Sequence, residues 1–328
     1  MRNLINEFPK QLSEAYTIAL NAQLKSAKNP ILNVVITGLG GSGIGGTIVN
    51  ELFKSDCKVP VVVNKDYNMP SFINQNTLVI ASSYSGNTEE TLMALEQALR
   101  KGAEVAIITS GGKALEIAQT NKLNHIVIPG GNPPRSMLAY SLVQLLALFA
   151  HYQLVSKPLH TEIPSVVEQL EKQKESIISS ASGLAEKLYK KLPIVYAVDG
   201  FEGVAVRWKQ QINENSKMLS WHAVVPEMNH NELVGWAGGN EEVATVFLRN
   251  KADFNRNQHR VEINKEIIAK YTPHVFEVWS EGDTALANTL YLIHFGDWVS
   301  LILSEMNKVD VMEVQVIDFL KSSLAKVD

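Results

Sequence analysis

Short aliphatic runs recur at residues 34–36, 59–63, 78–81, 105–108 and 125–128, and each is separated from the next by a segment of helical length and pattern. Runs this short, apolar on consecutive positions, suit strands buried on both faces rather than strands with one wet face. Strands that alternate with helices form a parallel sheet through right-handed crossovers, with helices covering both faces. The expected class is therefore α/β, a doubly wound, Rossmann-like parallel sheet. A helix over residues 7–28 precedes it, with Phe8, Leu12, Ala15, Ile18, Ala19 and Leu24 at helical spacing, and a helix over 136–155 closes it. The polar stretch KPLHTEIP, with two prolines, then interrupts the pattern, which predicts one domain over residues 1–156 and a second over 157–328. The pattern restarts with a helix over 165–192, strands at 194–198, 243–248 and 274–278, and helices over 257–271, 284–306 and 314–325. A strand followed by a glycine turn and a helix occurs in both halves, TGLGGSGIGG and AVDGFEGVAV, which suggests two copies of one unit.

Composition narrows the class of partner. A formal net charge of −4 offers no general attraction for nucleic acid, and the hydrophobic share of 45% with 20% charged residues is that of a soluble globular chain. The first 24 residues carry charges throughout, with neither a signal-peptide core nor a membrane span. Cys57 is the only cysteine, which excludes an internal disulfide and fits a reducing cytoplasm. No His-Glu-x-x-His or paired His/Cys spacing occurs, so no metal is expected.

The stretch TLVIASSYSGNTEETL, residues 77–92, ends an apolar run abruptly in hydroxyls and a glycine before an acidic helical segment. Gly86 permits a tight turn, and Asn87 with Glu90 three residues on reads as a capping box. The loop thus ends on a helix N-terminus, where unpaired N–H groups and the helix dipole, joined by the hydroxyls of Ser82, Ser83, Ser85 and Thr88, would receive a phosphate monoester. Glu89 and Glu90 compete for the same dipole and must turn outward for an anion to bind. The loop has no lysine and so is no Walker A motif.

GLGGSGIGG, residues 38–46, holds Gly38, Gly40 and Gly43 in G-x-G-x-x-G register, yet the acidic residue that should end the second strand is replaced by Asn64 and then Asp66. Its other use is a close backbone approach to a sugar or phosphate at Gly41, with Ser42 pointing inward. NPPRSMLAY puts Arg135 behind two prolines at a helix start, where it is either a solvated charge or a group that stabilises an oxyanion.

GLGGSG, SSYSGNTEET and PPRSMLAY, followed by QINENSK and MNHNELVGW, resemble in order and spacing the bifunctional phosphoglucose/phosphomannose isomerase family, built from two sugar isomerase (SIS) domains. The resemblance extends over almost the whole chain. It implies a cofactor-free, cytoplasmic aldose–ketose isomerase acting on glucose 6-phosphate and fructose 6-phosphate. It also implies that Gly41, Ser42, Ser83, Ser85 and Thr88 hold the phosphate and that Arg135 lies beside C1 and C2. Glu214 is then the base, Lys321 lies near the ring oxygen, and His230 opens the ring of a substrate bound to the other subunit of a homodimer. The family's use of mannose 6-phosphate is associated with a threonine near the C-terminus, whereas KVDVMEVQVID ahead of Lys321 has neither threonine nor serine, which leaves the C2 epimer open.

Read without the resemblance, Glu214 could pair with Lys217, His230 could cap the helix begun by NHNEL, and Lys321 could sit on a solvated face. Together they are chemically complementary: a carboxylate to move a proton beside a carbonyl, a cation for the enediolate, and an acid and base for ring opening. A non-catalytic sugar-phosphate sensor and an amino-sugar phosphate isomerase are the rival readings. The absence of an attached DNA-binding or glutaminase segment counts against them.

Overall fold

The computed structural model describes residues 1–327. Its first sheet contains β1 (Asn33–Thr37), β2 (Val61–Asn64), β3 (Thr77–Ser83), β4 (Glu104–Thr109) and β5 (Asn124–Val127), all parallel, in the order β2-β1-β3-β4-β5. All seven residues of β3 are buried, as its central place requires. Its second sheet contains β6 (Leu192–Val198), β7 (Trp221–Val225), β8 (Val243–Arg249) and β9 (Val275–Trp279), also parallel, in the order β7-β6-β8-β9.

The helices, in chain order, are α1 (Arg2–Asn6), α2 (Phe8–Asn21), α3 (Gly40–Leu52), α4 (Glu89–Arg100), α5 (Gly112–Thr120), α6 (Leu138–His151), α7 (Ile163–Leu188), α8 (Glu202–Ser216), α9 (Glu232–Gly235), α10 (Asn255–Ile268), α11 (Ala285–Met306) and α12 (Gln315–Leu324). One continuous apolar core joins Ile36 and Ile80 of the first sheet to Val195 and Val246 of the second through α2, α3, α6, α7, α8 and α11. The first sheet's other face packs on α4 and α5 through Val35, Val79, Leu95, Ile107 and Ala118. Tyr196, Phe247, Trp236 and Val261 form a separate core on the far face of the second sheet.

Among the described residues, α11 alone is long and apolar enough to cross a membrane, but its apolar window is 94% buried within the protein. It packs on α7 and α8. At Gly296 a Cβ would approach the Trp208 indole nitrogen to 2.3 Å, so only glycine lets α11 and α8 come this close.

Two expectations change. Helix α2, expected to run to residue 28, ends at Asn21, because the chain beyond it turns extended and lays Lys25 along β5. There the Asn124 amide bonds both the N–H and the C=O of Lys25, at 2.8 Å each. The edge strand β7 was not anticipated. WHAVV is short, carries a histidine and leaves Trp221 exposed, so its pairing with β6 identifies it where its pattern does not.

Candidate functional site

Three segments converge at the carboxyl ends of β1 and β3, where ligands bind in sheets of this kind. The turn after β3 closes at Gly86, with φ at 67°, where a Cβ would fall 1.8 Å from the Gly111 carbonyl oxygen. Ser83 Oγ donates to Thr88 Oγ1 at 3.1 Å, and Ser85 Oγ accepts from the Asn87 N–H at 3.2 Å. Thr88 is the N-cap residue of α4, but its side chain makes no capping bond. The expected capping box does not form, because Asn87 Oδ1 instead accepts from the Lys113 N–H at the start of α5, 3.1 Å away. The N-terminus of α4 is therefore not closed by its own side chains, and Glu89 is exposed.

The glycine segment opens α3 beside this turn. Ser42 is buried and its Oγ accepts from the Tyr84 N–H at 3.1 Å, which joins α3 to the serine turn. The glycines serve protein packing: a Cβ at Gly38 would meet the Ser82 carbonyl at 2.6 Å, and one at Gly43 the Gly38 carbonyl at 2.3 Å. Gly41 lies against the Pro134 carbonyl, so the turn bearing Arg135 is seated on the start of α3. The Asn132 N–H donates to Tyr84 Oη at 3.1 Å and ties that turn to the serine loop as well.

Arg135 is 5% exposed. Its Nε donates to Asn215 Oδ1 at 2.8 Å and its Nη2 to the Val311 carbonyl at 2.5 Å, and Nη1 lies 3.6 Å from Glu214 Oε2. Burial lowers its pKa, while Glu214 and Asp310 favour the charged form. Glu214 projects from the last turns of α8 with its side chain 32% exposed, so it faces both the arginine and solvent. It does not pair with Lys217 through its carboxylate. Lys217, at φ 55°, instead donates from Nζ to the backbone carbonyls of Glu214 (2.6 Å) and Glu313 (2.7 Å), and burial lowers its pKa.

Gly41, Ser42, Ser83, Ser85, Thr88, Arg135 and Glu214 are thus gathered along one edge. His230 and Lys321 are not joined to them by any hydrogen bond or ion pair among the described residues. His230 is exposed at the end of a 3-10 turn, Glu227–His230, and the cap of α9 is Asn231, whose Oδ1 accepts from the Glu232 N–H. Lys321 is exposed on α12, a helix with no buried residue.

Sequence reading missed what holds Arg135. Arg207, Gln211 and Asn215 recur every four residues on α8 and are all buried against Asp297 and Ser300 of α11. The spacing was visible, but a polar stripe on a helix ordinarily marks the wet face.

Residues 18–154 match the SIS domain model, and residues 177–324 match the model described as the bacterial phospho-glucose isomerase C-terminal SIS domain. The fold agrees: the C-terminal domain of glucosamine-fructose-6-phosphate aminotransferase from Francisella tularensis superposes with a TM-score of 0.76 at 12% identity, covering 94% of this chain and 97% of that one. The class is thus a double-SIS protein. A bifunctional phosphoglucose/phosphomannose isomerase from Caldicellulosiruptor bescii is 40% identical over 98% of both chains. A D-glucosamine-6-phosphate 4-epimerase from Sulfolobus acidocaldarius is 30% identical over 73% of this chain and 76% of its own. The chain belongs to the bifunctional phosphoglucose/phosphomannose isomerase family.

Proposed function

We propose that this protein interconverts glucose 6-phosphate and fructose 6-phosphate, with mannose 6-phosphate as a further substrate, in the cytoplasm and without metal or cofactor. The observation that carries the reading is the 3.6 Å approach of the Arg135 guanidinium to the Glu214 carboxylate beside the hydroxyl loop. A phosphate on the loop of Ser42, Ser83, Ser85 and Thr88, with Gly41 beside it, leaves the far end of an open-chain sugar facing that pair. Glu214 takes the proton from C2 of the aldose and returns it to C1, passing through a cis-enediol. Negative charge gathers on the C1 and C2 oxygens in the transition state, and the buried guanidinium stabilises it there more strongly than it would in water.

Ring opening falls to His230 and Lys321. His230 is exposed and unpartnered within its own chain among the described residues, which supports its serving the site of a second subunit in a homodimer. Lys321 then approaches the ring oxygen from α12. The same reading divides the chain near residue 156, supported by the separate matches of residues 18–154 and 177–324.

The test is a coupled assay of the purified protein with glucose 6-phosphate, mannose 6-phosphate and glucosamine 6-phosphate side by side, with and without EDTA. Turnover of glucose 6-phosphate that EDTA leaves unchanged is the expected result. Conversion of the amino sugar alone would overturn the assignment in favour of amino-sugar phosphate chemistry, and loss of activity in EDTA, restored by a metal, would overturn metal independence.

A further inference from the structure

We propose that Asn215 is a positioning residue: it sets the rotation of the Arg135 guanidinium, and the buried Arg207–Asp297 pair fixes the turn on which Arg135 sits. The inference rests on the reading of Arg135 as the group facing the enediol. A guanidinium has free rotation about its own stem unless its nitrogens are held. Here Nε is held by Asn215 and Nη2 by the Val311 carbonyl, which leaves Nη1 directed at Glu214.

Asn215 is itself locked. Its Nδ2 donates to Ser300 Oγ at 3.0 Å, and that hydroxyl donates to the Asp297 carbonyl at 2.8 Å, so the amide cannot flip without losing both bonds. Two α-helical turns back on α8 and one turn back on α11, Arg207 donates from Nη2 to Asp297 at 2.7 Å and to the backbone carbonyl of Arg135 at 2.9 Å, while Gln211, between them on α8, holds the other Asp297 oxygen at 2.9 Å. Arg207 and Asp297 are 2% and 4% exposed. An ion pair buried this deeply adds little to stability over apolar side chains of similar size. Its second bond, to the chain carrying Arg135, gives it a use that apolar side chains cannot supply. Side chains of the second half therefore fix a cation that belongs to the first.

The experiment is a double-mutant cycle on kcat with Asn215→Leu and Arg135→Ala, using sugar phosphate turnover. Asn215→Leu removes both bonds at nearly constant volume. It should lower kcat by on the order of 10² and move KM by less than about threefold, since the phosphate loop is untouched. In the Arg135→Ala background the same change should have little further effect on kcat. A full, multiplicative loss in that background would overturn the proposal, because a merely structural asparagine acts whether or not the arginine is present. A crystal structure of the Asn215→Leu protein is the arm that does not depend on the activity assigned above. It should show Nη1 turned away from Glu214, and an unmoved guanidinium would overturn the proposal even in a protein with no isomerase activity. Should Asn215→Leu not fold, Asn215→Gln takes its place in both measurements, with the same two results deciding.

Discussion

The turn after β3 and the turn after β8 hold equivalent places, each following a strand flanked by parallel neighbours and each leading into a helix. Neither Thr88 ahead of α4 nor Phe254 ahead of α10 makes a side-chain cap, but the two turns use their polar side chains differently. After β3 the hydroxyls of Ser83, Ser85 and Thr88 bond locally but leave the α4 terminus without a side-chain cap. After β8, Asp253 turns back to accept the Asn250 N–H at 3.0 Å, and Asn250 Oδ1 accepts the Ala252 N–H at 2.8 Å. Burial raises the Asp253 carboxyl to about 6. The turn after β3 gives one loop N–H, that of Asn87, to a side-chain oxygen, whereas the turn after β8 gives two, those of Asn250 and Ala252. On the function proposed above, the first half binds the phosphate and the second contributes α8 and its Glu214.

The largest expected effect comes from breaking the second half's contribution. Glu214→Gln should lower turnover by on the order of 10² to 10⁴ while an inhibitor that mimics the sugar phosphate binds as before. Mixing this variant with His230→Ala by unfolding and reassembly should restore part of the activity, about a quarter of the parental value if sites act independently. Near-normal turnover in the first variant would remove the carboxylate from the mechanism. Confirmed heterodimers without recovery would mean that His230 does not complete a partner's site.

A smaller effect separates the two turns directly. Thr88→Val should weaken sugar phosphate binding by about 1.5 to 3 kcal/mol, the value of one hydrogen bond to a charged group. Asp253→Ala should leave that affinity unchanged and lower unfolding free energy by about 1 kcal/mol, through loss of its bond to the Asn250 N–H. Calorimetric titration and denaturant unfolding of both variants check the pair. Equal losses of affinity in the two would abolish the contrast between the turns.

A further effect concerns the seam between the halves. Glu51 of α3 accepts the Gly203 N–H at the start of α8 at 2.9 Å, and burial, aided by Glu202 and Asp199, raises its carboxyl to about 7. A carboxyl raised in the folded state favours folding while protonated. Its contribution is complete below the ordinary value of 4.5 and is lost as pH rises through about 7. Melting temperature should therefore fall more between pH 5 and pH 8 in the parent than in Glu51→Gln, whose amide oxygen still accepts from Gly203. Parallel curves for the two proteins would show that the seam does not titrate.

The sequence by itself determined the class of fold, most of the strands and helices, and which segments are candidates for chemistry, because those are local properties. A buried parallel strand needs consecutive apolar residues and a helix needs a 3.6-residue stripe, and both are legible in runs such as LVIA and in the glycine and serine turns that punctuate them. Edge strand β7 and the early end of α2 were not legible, since each depends on a partner elsewhere: β6 for one, Asn124 for the other. The candidate site divides in the same way. Motifs point to Arg135, Glu214, His230 and Lys321 as candidates, yet their arrangement is not legible in the sequence.

Only the tertiary structure decided that Glu214 meets Arg135 rather than Lys217, that Asn87 leaves its own helix to hold α5, and that the polar stripe of α8 is buried. The physical reason is that α8 packs on α11 closely enough, across Gly296, to enclose Arg207, Gln211 and Asn215, and buried polar groups are favoured where the fold brings them partners. Those partners come from segments far apart in the chain, and local pattern carries no record of them.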